Sequence, residues 1–451
     1  MLLTEGPIAK TMVLFSLPIL ASSVLQSFNA SINAVWIGRL LGPRALSAGA
    51  NANSLIFLLL GAVFGLGLAA TVLVGQAVGA KNIDLAKRTV GTSITFFGAV
   101  SVGLAGIGIV FANQILHLMH TPADSLDMAA DYLRVIFVAL PGMYLFAFVM
   151  MALRGAGDAK TPFVFLAISA GLDVALNPLL IRGFGPIPAL GIAGSAWATM
   201  IAQWVSLACM VGWLYRSKHF LRLAKGEGHY LRVDPTILKA LVTKGVPMGL
   251  SVVVMSSSML VMISLVNRYG SATTAAYGAC FQLWSYVQMP SFAVGNAVSS
   301  MAAQNVGARK WDRVAKVAQF GVLYAILLTG ACVLAITIVR RPAFALFLGS
   351  ATDSVEIAVH IHSIVTWSFI LLSVSFVLAS VVRATGAVIP PLFIMFIALW
   401  VVRLPFAYGL ADRMGAESIW WSFPVGSAVS MVLTAAYYRF GGWRAARMIT
   451  A

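Results

Sequence analysis

Long apolar runs, interrupted by glycine, proline and charge, follow one another along the whole 451-residue chain. A helix needs about 20 apolar residues to cross a bilayer, so the length of these runs decides how they are read. They predict twelve helices, near residues 12–37, 54–79, 89–115, 130–153, 161–181, 190–215, 238–267, 273–304, 315–339, 357–382, 388–410 and 418–438. Spanning strands are excluded. The period-two alternation of a membrane barrel is absent, and every amide in lipid has to be paired within its own segment. The fold class expected is all-α, integral to the membrane and multi-pass.

Composition agrees with that pattern: 60% of residues are hydrophobic and 10% charged, against about 25% charged in soluble domains. The net charge of +16 would suggest nucleic acid in a soluble protein, but here its placement carries the meaning. Of the 30 Lys and Arg, twenty-one lie at the termini and in the loops after even-numbered helices, and seven lie in the other loops. The positive-inside rule then puts both termini in the cytoplasm and accounts for the charge with lipid as the partner and no nucleic acid. The first apolar run is longer than a signal-peptide core and is read as a retained helix. A bacterial inner, plasma membrane fits. Cys209, Cys280 and Cys332 each sit in an apolar run without metal-ligand spacing, so no metal and no cofactor are expected.

The chain repeats itself. Gln76 to Lys81 returns as Gln304 to Arg309, an offset of 228 residues; Arg154, Gly157 and Pro162 return as Arg383, Gly386 and Pro391, an offset of 229. Each half holds six helices, an even number, so both enter the membrane in the same sense. The expected architecture is two parallel six-helix lobes with pseudo-two-fold symmetry, 1–215 and 237–451, joined by a cytoplasmic linker at 216–236 that reads as a solvated loop.

In order along the chain, Gly6-Pro7-Ile8 through Pro18, Trp36-Ile37-Gly38-Arg39-Leu40-Leu41-Gly42, Val74-Gly75-Gln76, Leu153-Arg154-Gly155-Ala156-Gly157-Asp158 to Pro162, and Asn177-Pro178 resemble the multidrug and toxic compound extrusion family. The resemblance spans the chain and is closer to the branch that includes DNA-damage-inducible transporters. It implies a secondary antiporter that exports amphipathic, often cationic, organic compounds in exchange for inward protons or sodium ions, working as a monomer.

Of the 14 acids, thirteen lie in loops or at helix ends and one, Asp173, lies inside an apolar helix. Holding a carboxylate there costs about 2.5–3.5 kcal/mol on insertion scales, and an acid kept at that cost is a functional candidate. Many relatives carry an aspartate where this chain has Asn33, and place asparagine four residues before an aspartate where it has Asp173 before Asn177. Residues four apart share a helix face, so Asp173, Asn177 and Asn33 are expected to form one polar cluster. A lone acid favours a proton as the coupling cation, while the same cluster with backbone carbonyls leaves sodium as the alternative.

The second half has no such acid. Its only deep base is Arg403, one residue off the position that repeats Asp173. Met255 and Ser258 in the seventh helix, and Gln282, Tyr286, Gln288 and Met289 in the eighth, join Arg403 as candidate lining for a small-molecule amphipathic substrate, since aromatic faces and thioethers suit flat ligands of varied shape. His360 and His362 read as solvated. An enzyme is not expected, because the loops are short and carry no catalytic motif. A flippase for lipid-linked oligosaccharides remains the other alternative, weakened by the single base.

Overall fold

The computed structural model describes residues 3–118, 126–185, 188–349 and 353–449; Asp124 of the loop acids falls outside them. Its helices are α1 (Ile8–Leu41), α2 (Pro43–Gly79), α3 (Ile83–Leu118), α4 (Leu126–Gly155), α5 (Lys160–Arg182), α6 (Gly191–Arg216), α7 (Pro235–Val266), α8 (Ser271–Gly307), α9 (Trp311–Ile338), α10 (Arg340–Leu348), α11 (Asp353–Val365), α12 (Ser368–Arg383), α13 (Ile389–Phe396), α14 (Leu404–Gly409), α15 (Ala411–Met414) and α16 (Glu417–Phe440). Taking α11 with α12 and α13 with α14 as one segment each, the twelve long apolar segments are all helical. Among the described residues, nine helices, or ten with the bent α11–α12 pair, are long and apolar enough to cross a membrane. Helix α8 falls short because polar residues run through it, among them Gln282, Gln288, Ser299, Gln304 and Asn305.

The repeat is visible in the backbone itself. α2 and α8 end in the same way, with Lys81 and Arg309 at φ 58° and 57°, and with Asn82 N–H donating to the Ala77 carbonyl (2.9 Å) as Lys310 N–H donates to that of Asn305 (2.8 Å). These are left-handed caps held by long side chains rather than glycine.

Contacts group Ala21–Val246 as one compact unit and Leu2–Leu20 with Pro247–Ala451 as the other. In the first, α4 packs on α2, α3 and α6, and α5 lies along α6. In the second, α8 packs on α9, α11 and α12, and α12 on α16. The leading turns of α1 belong with the second unit, where Leu3 N–H donates to Gln304 Oε1 (2.9 Å), Lys310 Nζ to the Thr4 carbonyl (3.1 Å) and Arg313 to the Gly6 carbonyl (3.1 Å).

The linker is not a solvated loop throughout. Glu227–Leu231 forms a 3-10 turn that packs on α3, with Glu227 paired to Lys87 at 2.7 Å, the Tyr230 hydroxyl donating to Asp84 (2.7 Å), and Thr95 donating to the Leu231 carbonyl (2.7 Å). The Lys87 ammonium and the Ala224 amide hold the Glu227 carboxyl below the usual carboxylate range. The clamp is therefore intact at neutral pH and loosens only as acid protonates Glu227.

Gly386 closes the α12–α13 turn at φ 105°, and a Cβ there would lie 2.6 Å from the Arg447 carbonyl carbon. Gly386→Ala is expected to cost at least about 2 kcal/mol, seen as a lower thermal unfolding midpoint of the purified protein. An unchanged midpoint would contradict this packing.

Candidate functional site

The polar cluster expected around Asp173 exists, and it lies within the first unit. Asp158 Oδ1 caps the start of α5 by accepting from the amides of Lys160 (3.1 Å) and Thr161 (3.0 Å). From there the helix carries Asp173 and Asn177 on one face, 2% and 0% exposed. Pro178 follows and frees a carbonyl one turn back.

The Asp173 carboxylate accepts four hydrogen bonds. Oδ2 receives Nδ2 of Asn29 (2.8 Å) and of Asn33 (2.7 Å), and Oδ1 receives Nδ2 of Asn177 (3.1 Å) and the hydroxyl of Thr199 (3.0 Å). Asn177 Nδ2 also reaches Asn33 Oδ1 at 3.1 Å, a third hydrogen bond between α1 and α5. All four donors are neutral. Among the described residues no cation pairs with this carboxyl group, which is held by neutral dipoles alone. Two further oxygens, Asn29 Oδ1 and Asn177 Oδ1, are buried with no hydrogen-bond partner.

Two of these ligating residues escaped the sequence reading. Asn29 lies one turn before Asn33 and could have been found by that spacing. Thr199 could not: it sits in an apolar stretch of α6 and also bonds its own helix at the Ser195 carbonyl (3.2 Å), as most helical threonines do. Helix α6 comes within reach because Gly194 lets it pass the α5 backbone closely; a Cβ there would lie 2.5 Å from the Leu180 carbonyl oxygen.

The second unit holds the remaining candidates. Arg403 ends a π-helical turn, Ile397–Arg403, between α13 and α14. Its guanidinium carbon sits 3.5 Å above the Phe423 ring centre, and Tyr277 packs beside that ring. Tyr277 in turn belongs to an aromatic core with Trp284, Trp420 and Phe423. Gln282 and Tyr286 lie on the exposed face of α8 and touch at 3.4 Å. Met255 is 42% exposed, Met289 is half-buried, and Gln288 turns back to the Trp284 carbonyl (3.5 Å). Ser258 is buried with its hydroxyl unpaired.

The histidines divide. His360 is exposed and paired with Glu417, but His362 is 1% exposed, correcting its reading as solvated. Trp284 Nε1 donates to Thr366 Oγ1 (3.0 Å), which meets His362 Nδ1 at 2.8 Å; His362 Nε2 meets Thr337 Oγ1 at 3.1 Å. Since the Thr337 hydroxyl also donates to the Val333 carbonyl (2.7 Å), the chain of donors is complete with a neutral imidazole protonated on Nε2. The α11 face that carries it turns inward, which two histidines near an apolar run do not reveal.

Comparison with known proteins adds to this geometry. The family model described as MatE matches residues 18–179 and again 247–409. The chain is 38% identical to the "Probable multidrug resistance protein YoeA" of Bacillus subtilis, over 96% of this chain and 93% of that protein. It is 31% identical to the "Probable multidrug resistance protein YpnP" of the same organism, over 99% and 98%. A solved structure titled "Crystal structure of MATE in the bent conformation" superposes with a TM-score of 0.89 at 18% identity, covering 97% of this chain and 96% of that one.

Proposed function

The chain belongs to the MatE family of membrane transporters, and from that premise we propose that it is a secondary antiporter exporting amphipathic organic compounds, cations among them, in exchange for inward protons carried by Asp173. The observation that carries this reading is a buried carboxylate held by four neutral donors. A paired lysine or arginine would fix the ionised form. Amides do not, because an asparagine turned about its last torsion presents oxygen instead of nitrogen. Asn29, whose oxygen has no partner, can thus accept from the protonated acid as readily as its nitrogen donates to the ionised one.

One proton per cycle against a monocation is electroneutral. Each pH unit then supplies about 1.4 kcal/mol, a tenfold concentration ratio, while a neutral or zwitterionic cargo also draws about 2.3 kcal/mol per 100 mV from the potential. The loop charges orient the protein with both termini in the cytoplasm of a bacterial inner membrane. The names of the two Bacillus relatives support drug-like cargo.

Sodium is the second reading, favoured by the two unpaired oxygens, Asn29 Oδ1 and Asn177 Oδ1, beside the carboxylate, since hard cations take oxygen ligands. Efflux from proteoliposomes separates the two. An acid exterior without sodium is expected to drive a dye cation out, and a sodium gradient at equal pH is expected to leave it in place. Efflux under the sodium gradient alone would replace the proton with sodium.

A further inference from the structure

We infer that Arg403 forms a recognition site for an organic anion, so that the exporter prefers amphiphiles bearing a carboxylate; this rests on the export reading and narrows its cargo.

The first observation is position. Pro162 and Pro391 correspond at an offset of 229, yet Asp173 and Arg403 are 230 apart. The π-helical turn Ile397–Arg403 takes up the extra residue, because a wider turn accommodates one insertion without breaking the helix. Arg403 is thereby returned to the register of Asp173. The second unit carries a base where the first carries an acid.

The second observation is unsatisfied capacity. A guanidinium has five N–H donors in a planar fork. Here one ring face covers it, and Nε is buried without any acceptor. Among the described residues no carboxylate lies within ion-pair reach of it: in the same unit Glu356 is held by Arg341 and Glu417 by His360, both near the ends of their helices. An unneutralised charge inside the apolar span Ile389–Gly409 is costly. A structural arginine would have its acceptors built in, whereas the Nε of this one has none, and the rings beside it, Phe423 and Tyr277, are themselves buried. Arginine and carboxylate match as two parallel hydrogen bonds, which also confers selectivity.

A lipid phosphate offers similar chemistry, so the test separates the two sources. A rhodamine carboxylate and its methyl ester share one ring system and differ in the acidic group. In proton-driven efflux from phosphatidylcholine vesicles, the wild type is expected to move the carboxylate faster than the ester. Arg403→Gln is expected to slow the carboxylate about tenfold while leaving the ester within about twofold, and Arg403→Lys should fall between, keeping the charge but losing the fork. If Arg403→Gln does not fold, the wild-type preference and the Lys variant still decide. Equal handling of both dyes by wild type would overturn the anion site while the exporter stands. So would Arg403 dependence that emerges only with anionic lipid. Failure to move either dye under any gradient would instead sink the export reading.

Discussion

Asp173→Asn is expected to yield a folded protein that binds cargo but no longer concentrates it against a gradient, with proton-driven efflux falling at least about 100-fold. Asparagine is nearly isosteric with aspartate, and its oxygen can keep two of the four bonds that Asn29, Asn33, Asn177 and Thr199 now make. What it removes is titration. Without a group that gains and loses a proton, a gradient of one pH unit delivers none of its tenfold driving ratio. Asp173→Leu is expected to be harsher, because the Asn29 and Asn33 amides lose their acceptor in a buried place, at about 1–3 kcal/mol for each donor left unpaired, while Asn177 and Thr199 keep main-chain carbonyls as acceptors. Thermal unfolding of the two variants beside their transport separates loss of coupling from loss of fold.

Gly194→Val should abolish transport by a different route. Its Cβ would stand 2.5 Å from the Leu180 carbonyl oxygen and 2.8 Å from the Ile181 nitrogen, both backbone atoms of α5 that cannot swing aside. Either α6 moves away or the pair is strained. The helix-propensity gain from removing an interior glycine, below about 1 kcal/mol, does not offset an overpacking cost of about 3 kcal/mol. Displacement of α6 also withdraws Thr199 from Asp173. A lower unfolding midpoint with lost proton-driven efflux is the expected pair of results; full transport by a stable variant would show that α6 is not tied to the site.

These effects separate what could be read from sequence from what could not. Helix number and order follow from apolar length, which the bilayer fixes in advance. The clustering of Asn33, Asp173 and Asn177 followed partly from four-residue spacing, since one helix turn is the same in every helix. Features set by contacts across the fold were hidden. The π turn before Arg403 is invisible because its residues, Ile397 to Val402, are as apolar as any helical run. The 47° bend between α11 and α12 has no proline to announce it. It falls at Thr366, whose hydroxyl is engaged by Trp284 and His362. Trp284, between Gln282 and Tyr286, is 1% exposed, and a tryptophan facing protein and one facing a ligand look alike in one dimension.

The most direct measurement is proton release on cargo binding. Purified protein in weakly buffered solution is mixed with a permanently charged dye cation, and the change in pH is followed. Release of up to one proton per protein is expected from the wild type and none from Asp173→Asn. Release that persists in the variant, or binding by the wild type without any proton released, would contradict Asp173 as the coupling acid.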